Sequence, residues 1–571
     1  MSYCKIKKIP GNMEKDDKWW EKITSKKKGR KWETMLHNGV LFPQPYKPLP
    51  QKIKILYDGK STSLDSQNTN NPLNITAEEA AVFFAMKIDQ DERTKKPENK
   101  KAINDKVFTK NFWTDWKTIL GKNHIIQDFK KVDFTPIKNY LVQRSQEKKD
   151  EKKALSPEEK KEIKEQKESI TDLYGYAVID GVRMSMSASI QPPGIYMSHA
   201  ESPLRGKIKK RIQPSDITLN VSMTNIPECK INGKDCKWGK VIEDHEVAWI
   251  ASYKNPLDPT NTNYIYLKRE GSHWVCMDDM QKFEKARKLA KNIEKVRKAY
   301  TKDLTDSSSE IKQLSTAVYL LDILAIRPGT DKDEKKESDT LGLTTLKCEN
   351  LTFHSDLTCT FDFTGKSGVP FKKQVKLSDP VYKNLKALCK NKPKTSKIFP
   401  DINSNTLNAY LKNILPDLTS KVFRTYKAGI ILQQELDKQN PKEDDEMHQK
   451  KILFDKANVK VALALNHKNM ASSDTKVEKI KTKIKDLKAK IKEAKTPKQK
   501  QTVKKSIEIQ ESKLGEASEN IATTTSRVNY IDSRIVVSWC KKHDVSIEKI
   551  YNKNLLKKFV WAMDTPPNWR F

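Results

Sequence analysis

Five side chains in the second half of this 571-residue chain have the types that phosphoryl transfer needs. Tyr530, in Val528-Asn-Tyr-Ile-Asp-Ser-Arg534, offers a phenol oxygen as nucleophile. Arg327 and Arg424 offer planar, permanently charged pairs of donors. His467 adds a further donor. A phosphodiester is an anion that repels a nucleophile. Attack adds charge to its non-bridging oxygens in a five-coordinate transition state, and preorganised cations stabilise that charge. The leaving oxygen needs a proton, because an alkoxide is a poor leaving group. Lys366 can supply it, provided neighbouring cations lower its pKa. Each residue alone has a plainer reading. An Arg at a helix end pairs with the dipole, a turn Lys is solvated, a helix-end His is hydrogen-bonded structure, and a Tyr near an element's end is packed.

The local patterns say what must hold these residues. Arg327 follows the apolar run Ala317–Ile326, which reads as a helix stopped by Pro328-Gly329. Lys366 sits in Gly365-Lys-Ser-Gly368, between Thr360–Thr364 and Val369–Val375, a predicted hairpin. Arg424 lies in Lys421-Val-Phe-Arg-Thr-Tyr426, and His467 ends Val461-Ala-Leu-Ala-Leu-Asn-His467. Before Tyr530, Val477, Ile480, Ile484, Leu487, Ile491 and Ala494 step by three and four. Val503, Ile507, Gln510, Leu514, Ala517 and Ile521 do the same after Thr496-Pro497. These are two coiled-coil seams joined by a turn, so an antiparallel, Lys-rich arm is expected, standing off the body and mobile.

Upstream, residues 75–175 read as mostly helical, with Lys148–Lys167 a charge-dense helix. Residues 176–270 read as strand-rich, with Val247–Tyr253 and Tyr264–Leu267 the clearest strands. The arm at 1–30 is basic and polar. Its run Lys26-Lys-Lys-Gly-Arg-Lys31 suits a nuclear address, a DNA contact or a solvated tail. The chain is too long for one core.

Composition narrows the partner. Lys and Arg total 109 against 74 Asp and Glu, a net charge of +35, which favours a polyanion. Membrane is the weakest candidate, since the best apolar run is short and interrupted by Asp322. Gly365-Lys366-Ser367 ends like a phosphate-binding loop, but Thr360 stands where the first Gly is required. There is no HExxH and no paired metal-ligand spacing. Cys229 and Cys236, the closest of the eight cysteines, read as core or loop thiols. No cofactor and no metal are therefore expected.

Taken in order, Arg327, Lys366, Arg424, His467 and Tyr530 resemble the active site of the eukaryotic type IB DNA topoisomerases. The resemblance runs from about Trp19 to the C-terminus. It is dense around Lys421–Tyr426 and Asn466-His467. It is densest from Asn529 through Trp539-Cys-Lys-Lys542 and Ile547–Lys553 to Lys558-Phe-Val-Trp-Ala562. Pro192-Pro-Gly194 and Lys209-Lys-Arg211 with Pro214 also look like the family's DNA clamp. The fold implied is mixed α+β. It is a two-lobed clamp with a cap at 31–272, a mostly helical catalytic lobe at 273–470, a coiled-coil linker at 471–520 and a small helical C-terminal domain at 521–571. The activity implied is ATP-independent relaxation of supercoils through a 3′-phosphotyrosine on Tyr530, strand rotation and resealing. Lys207, Lys209, Lys210, Arg211, His199 and Asn529 are the implied DNA contacts. The partner is duplex DNA and the chain a monomer. A cellular protein of this kind belongs in the nucleus, a viral one in the virion or replication compartment.

The sequence departs from the family in places. The loop Ile195-Tyr-Met-Ser-His-Ala-Glu201 lacks the usual arginines, and His199 takes the place of the one nearest Tyr530. Ser367 replaces an acid, Ser533 a Pro, and Thr330 an Asn. The rival readings are a tyrosine recombinase or integrase and a non-catalytic DNA clamp. Recombinases place His three residues before the second Arg, where this chain has Lys421, and the coiled-coil arm is foreign to them.

Overall fold

The computed structural model describes residues 29–64, 71–98, 101–198, 202–231, 234–268, 273–330, 340–439, 441–469 and 474–571. Most of the basic N-terminal arm, and His199, lie outside them. The described residues divide into two compact units, one up to Val275 and one from Cys276 to Phe571.

The first unit carries helices α1 (Ala77–Arg93), α2 (Lys106–Leu120), α3 (Thr135–Ala154) and α4 (Pro157–Tyr174). Phe84, Phe108, Phe112, Trp116 and Phe134 form one aromatic core from α1, α2 and the start of α3. The Trp116 indole N–H, buried there, donates to the Ala77 carbonyl at 2.9 Å. The charge-dense stretch at 148–167 is two helices, not one. Ser156 caps α4 through a capping box with Glu159, and Pro157 occupies its first turn. Proline there needs no N–H and fixes a helical φ, so the break is written locally. The largest sheet runs Lys240–Ile242, Thr218–Asn220, Trp249–Lys254, Thr262–Tyr266.

The second unit holds α5 (His273–Asp303), α6 (Ser309–Leu324), α7 (Asp379–Cys389), α8 (Ser404–Ile414), α9 (Val422–Lys438) and α10 (Met447–Ala464). The apolar faces of α5 to α9 meet in one core with Leu289, Val296, Leu321, Phe361, Phe399 and Phe423. The run Ala317–Ile326 is mostly buried, its first eight residues ending α6, and among the described residues no helix is long and apolar enough to cross a membrane. The helix ends earlier than Pro328-Gly329 would dictate: Ala325 takes a left-handed conformation at its C-terminus. Strands Thr358–Thr364 and Pro370–Lys376 pair antiparallel, so the expected hairpin is present.

Helices α11 (Asp474–Glu493) and α12 (Pro497–Ser518) bury Ile480, Ile484 and Ala517 against each other, with Val477 and Leu514 packed on them. The arm does not stand clear of the body as its composition suggests. Lys505 pairs with Glu446 at 2.6 Å, and His448 with Glu508 at 2.9 Å. Two charged residues of the arm are thus matched to the start of α10. Beyond the arm come α13 (Thr523–Asn529), α14 (Ser533–Lys542) and α15 (Lys553–Lys558).

Candidate active site

Arg327 sits three residues beyond α6, on a segment pinned by backbone. Its carbonyl accepts from Leu343 N–H at 2.9 Å, and the Pro328 carbonyl accepts from Thr344 at 2.8 Å. Gly329 and Gly342 cross so closely that a Cβ on Gly342 would lie 2.5 Å from Gly329 backbone. Only glycines permit that approach.

Lys366 is exposed at the hairpin tip, where Ser367 (φ 64°) and Gly368 (φ 76°) turn the chain. Directly below, Phe363 and Phe371 are register partners with ring centroids 4.8 Å apart. This stacked pair fixes the base, and so the tip.

Arg424 lies in the first turn of α9, between the buried Phe423 and Tyr426. Its Nη1 donates to the Ala325 carbonyl at 2.5 Å and its Nη2 to the Leu465 carbonyl at 3.1 Å. Its Nε–H is buried without an acceptor. Burial pulls its pKa down, with Tyr530 opposing. A guanidinium starts far enough above neutrality to stay charged.

His467 follows the end of α10, where Asn466 adopts φ 53°. Asparagine tolerates this left-handed turn better than most residues. The His467 carbonyl accepts from Ala522 N–H at 2.9 Å, which ties the turn to the entry of α13. The ring is buried. Its Nε2 lies 3.1 Å from Arg424 Nη2 and its Nδ1 2.7 Å from Ser526 Oγ. Burial, then the charges of Arg424 and Arg327, push its pKa down to about 3, so the ring is neutral.

Tyr530 closes α13. Its N–H donates to the Ser526 carbonyl at 2.9 Å. The phenol ring lies 4.9 Å from the Arg424 guanidinium carbon and 5.1 Å from the His467 ring, centroid to centroid. Burial alone would raise the hydroxyl's pKa. The charges of Arg424 and Arg327, with hydrogen bonds from both, outweigh it and leave the pKa below its ordinary value. Ser533, where the family has Pro, is the first residue of α14, behind the Asp532 cap. That position suits proline, and another residue there changes little.

Arg327, Lys366, Arg424 and His467 line one cavity of about 240 Å³. Tyr530 is not among its lining residues but touches its wall through Arg424 and His467. Five residues spread over 204 positions thus converge (530 − 327 = 203, counted inclusively). The site can hold an anion and present a phenol of lowered pKa. Among the described residues no group of three or more His, Cys, Asp or Glu could hold a metal ion.

The basic run in the first unit is less free than its sequence suggests. Lys207 pairs with Asp115 at 2.8 Å, Lys210 with Asp216 at 2.9 Å, and Arg211 with Glu79 at 2.5 Å. Lys209 makes no ion pair among the described residues, and burial lowers its pKa. Asn529, beside Tyr530, donates to the Thr525 carbonyl at 3.2 Å. Sequence reasoning missed Ser526 and the carbonyls of Ala325 and Leu465. Carbonyls carry no sequence signal, but Ser526 sits four residues before Tyr530, on the same helical face.

Three family models match successive parts of the chain. Residues 30–267 match the family model described as eukaryotic DNA topoisomerase I, DNA binding fragment. Residues 271–498 match the eukaryotic DNA topoisomerase I catalytic core, and 481–571 a C-terminal topoisomerase domain. The chain is 38% identical to DNA topoisomerase 1 alpha of Arabidopsis thaliana over 576 residues, covering 95% of this chain and 60% of that protein. It is 34% identical to DNA topoisomerase 1 of Homo sapiens, over 94% of this chain and 71% of the relative. The Caenorhabditis elegans protein of the same name is 34% identical, over 96% and 69%. The chain therefore spans about three fifths of the length of its plant relatives.

Proposed function

Because the chain belongs to the eukaryotic DNA topoisomerase I family, we propose that it relaxes supercoiled duplex DNA by transient cleavage of one strand, with Tyr530 as nucleophile. The observation that carries this is the convergence of Arg327 and Arg424 on the Tyr530 hydroxyl, with the His467 ring beside the phenol ring, next to a cavity that all three of these partners line. The phosphodiester enters as an anion. Tyr530 Oη forms the new bond to phosphorus, and the DNA 5′-oxygen leaves. The cations that lower the phenol's pKa favour its ionisation before attack. Charge then moves to the non-bridging oxygens, where the two guanidiniums are already oriented. The unpartnered Arg424 Nε–H supports this reading, since a buried donor without an acceptor costs about 1–3 kcal/mol and a phosphoryl oxygen would relieve it. Lys366, on the same cavity, protonates the leaving oxygen. The 3′-phosphotyrosine stores the bond energy, the free end swivels, and reversal reseals the strand. Every step uses side chains of this chain.

The two units act as the cap and catalytic lobes of a clamp, and α11–α12 as the linker between the core and the nucleophile. In this reading Lys207, Lys209, Lys210 and Arg211 contact DNA, the three ion-paired members exchanging an acid for a phosphate, and the wider positive charge of the chain adds to affinity. The protein acts as a monomer. The basic N-terminal arm and relatives from cellular eukaryotes favour the nucleus as its place of work.

The test is relaxation of a supercoiled plasmid without ATP. Stepwise loss of supercoils by a single protomer supports the proposal. Strand exchange between paired sites would make it a recombinase, and binding without relaxation a non-catalytic clamp.

A further inference from the structure

Ser526 touches both halves of the site. It is 0% exposed. Its carbonyl accepts from Tyr530 N–H at 2.9 Å and Ile531 N–H at 3.0 Å. Its hydroxyl lies 2.7 Å from His467 Nδ1. One residue thus fixes the backbone of the nucleophile and the ring of the histidine.

The proton positions follow from donor counting. Arg424 Nη2 can only donate, so His467 Nε2, at 3.1 Å, presents its lone pair. The neutral ring carries one proton, which is then on Nδ1 and donated to Ser526 Oγ. That arrangement cannot donate to a phosphoryl oxygen from Nε2. Donation requires the other tautomer, with hydrogen on Nε2 and a lone pair on Nδ1. The partner of Nδ1 must then change from acceptor to donor. A carbonyl can only accept and an ammonium only donate. A hydroxyl does either by rotating its proton.

We propose that Ser526 is a positioning residue that holds the His467 ring in place in both tautomers. It accepts from Nδ1–H when Arg424 covers Nε2, and donates to Nδ1 when Nε2–H faces the scissile phosphate. The ring exchanges its proton with water while the cavity is open, losing one from Nδ1 and gaining one at Nε2, with no net change of charge. This rests on the proposed cleavage reaction. It assigns a role to a side chain that touches neither the cavity nor the phenol oxygen. Second-sphere partners of functional histidines commonly act this way, fixing ring orientation and tautomer.

The experiment is a double-mutant cycle on single-turnover cleavage of an oligonucleotide that cannot be resealed, using the full chain. Ser526→Ala should slow cleavage by about 10–100-fold, the usual scale for losing such a partner. In a His467→Gln background the same change should slow it less than about twofold, because the ring through which Ser526 acts is gone. Ser526→Cys, close in size, preserves packing and should be slowed like Ala. Equal slowing by Ser526→Ala in both backgrounds would overturn the proposal and leave Ser526 a backbone support. Nitrogen NMR of His467 in the unliganded protein gives a readout independent of turnover. The hydrogen should reside on Nδ1 in the wild type and stay there in Ser526→Cys, because Arg424 still covers Nε2, with the Nδ1–H resonance shifted by the loss of its hydroxyl acceptor. Hydrogen on Nε2 in the unliganded wild type would contradict the assignment. A wild type that never cleaves would instead remove the proposed function and leave the NMR result standing.

Discussion

The Lys558 ammonium is 1% exposed and lies 3.2 Å from Asp279 Oδ2, while donating at 2.5 Å to the carbonyl of Val528, two residues before Tyr530. A buried lysine from the C-terminal segment thus joins α5 to the helical backbone that leads into Tyr530. Removing one member of a buried pair leaves the other charge desolvated, at a cost of about 3–5 kcal/mol. Lys282, 2.7 Å from Asp279 Oδ1, remains as a partial partner, so the lower end applies. Lys558→Met should therefore lower the denaturation midpoint clearly. Adding Asp279→Leu should recover much of the loss, because no charge is then stranded. Additive destabilisation in the double variant, measured by urea unfolding, would show that the pair is not the source.

Arg424 should govern the ionisation of Tyr530. A guanidinium beside a phenol favours the phenolate, and its removal favours the neutral form. Arg424→Gln should therefore move the Tyr530 titration upward, and the rising limb of the cleavage rate against pH with it. Cleavage at neutral pH should fall by about 10²–10³-fold, as when one preorganised donor is removed. Arg424→Lys should recover little, since one ammonium cannot reach both the Ala325 and Leu465 carbonyls as the planar fork does. A pH profile unchanged in Arg424→Gln would count against the electrostatic role.

The sequence made some of this visible and hid the rest for identifiable reasons. The Lys366 hairpin was legible because alternating Phe361 and Phe363, a Gly-bounded turn and a returning strand are local signals. The seams of α11 and α12 were legible for the same reason. The break at Ser156-Pro157 was equally local, but the surrounding charge run masked it. Pairings such as Lys207 with Asp115 and Arg211 with Glu79 were not legible. They join residues about a hundred positions apart, and only the tertiary fold selects among many acids. Ser526 was hidden among three threonines, with a hydroxyl that looks like a helix-capping residue until His467 is placed against it.

Lys366 can be tested as a proton donor rather than a phosphate contact. Replacing the 5′-bridging oxygen at the cut site with sulfur gives a leaving thiolate that needs little protonation. Lys366→Ala should slow cleavage of the oxygen substrate by about 10²–10⁴-fold, yet cleave the sulfur substrate at nearly the wild-type rate. Arg327→Ala and Arg424→Ala should stay slow on both. Equal impairment of Lys366→Ala on the two substrates would make it a binding residue.

His37 should make the protein sensitive to mild acid. Its Nε2–H donates to the Asn220 carbonyl at 2.9 Å and its Nδ1 accepts from Gly39 N–H at 3.0 Å, so both nitrogens are committed to the neutral ring. Burial pushes its pKa down to about 4, against 6.5 in the unfolded chain. Between those values the unfolded state takes up a proton that the folded state does not. Stability is therefore fully present above pH 6.5 and falls as pH drops toward 4, by about 1.4 kcal/mol per pH unit. His37→Gln should remove one proton's worth of that slope between pH 6.5 and 5. Parallel slopes for variant and wild type would contradict it.

The most direct measurement is the identity of the residue that DNA becomes attached to. A nicked oligonucleotide that releases a short product on cleavage traps the intermediate, and peptide mapping locates the adduct. Wild-type protein should carry a 3′-phosphate ester on Tyr530 alone, formed without ATP. Tyr530→Phe should form none while binding duplex DNA nearly as well, since binding rests on many phosphate contacts. An adduct on another residue, or any adduct in Tyr530→Phe, would contradict the proposed mechanism.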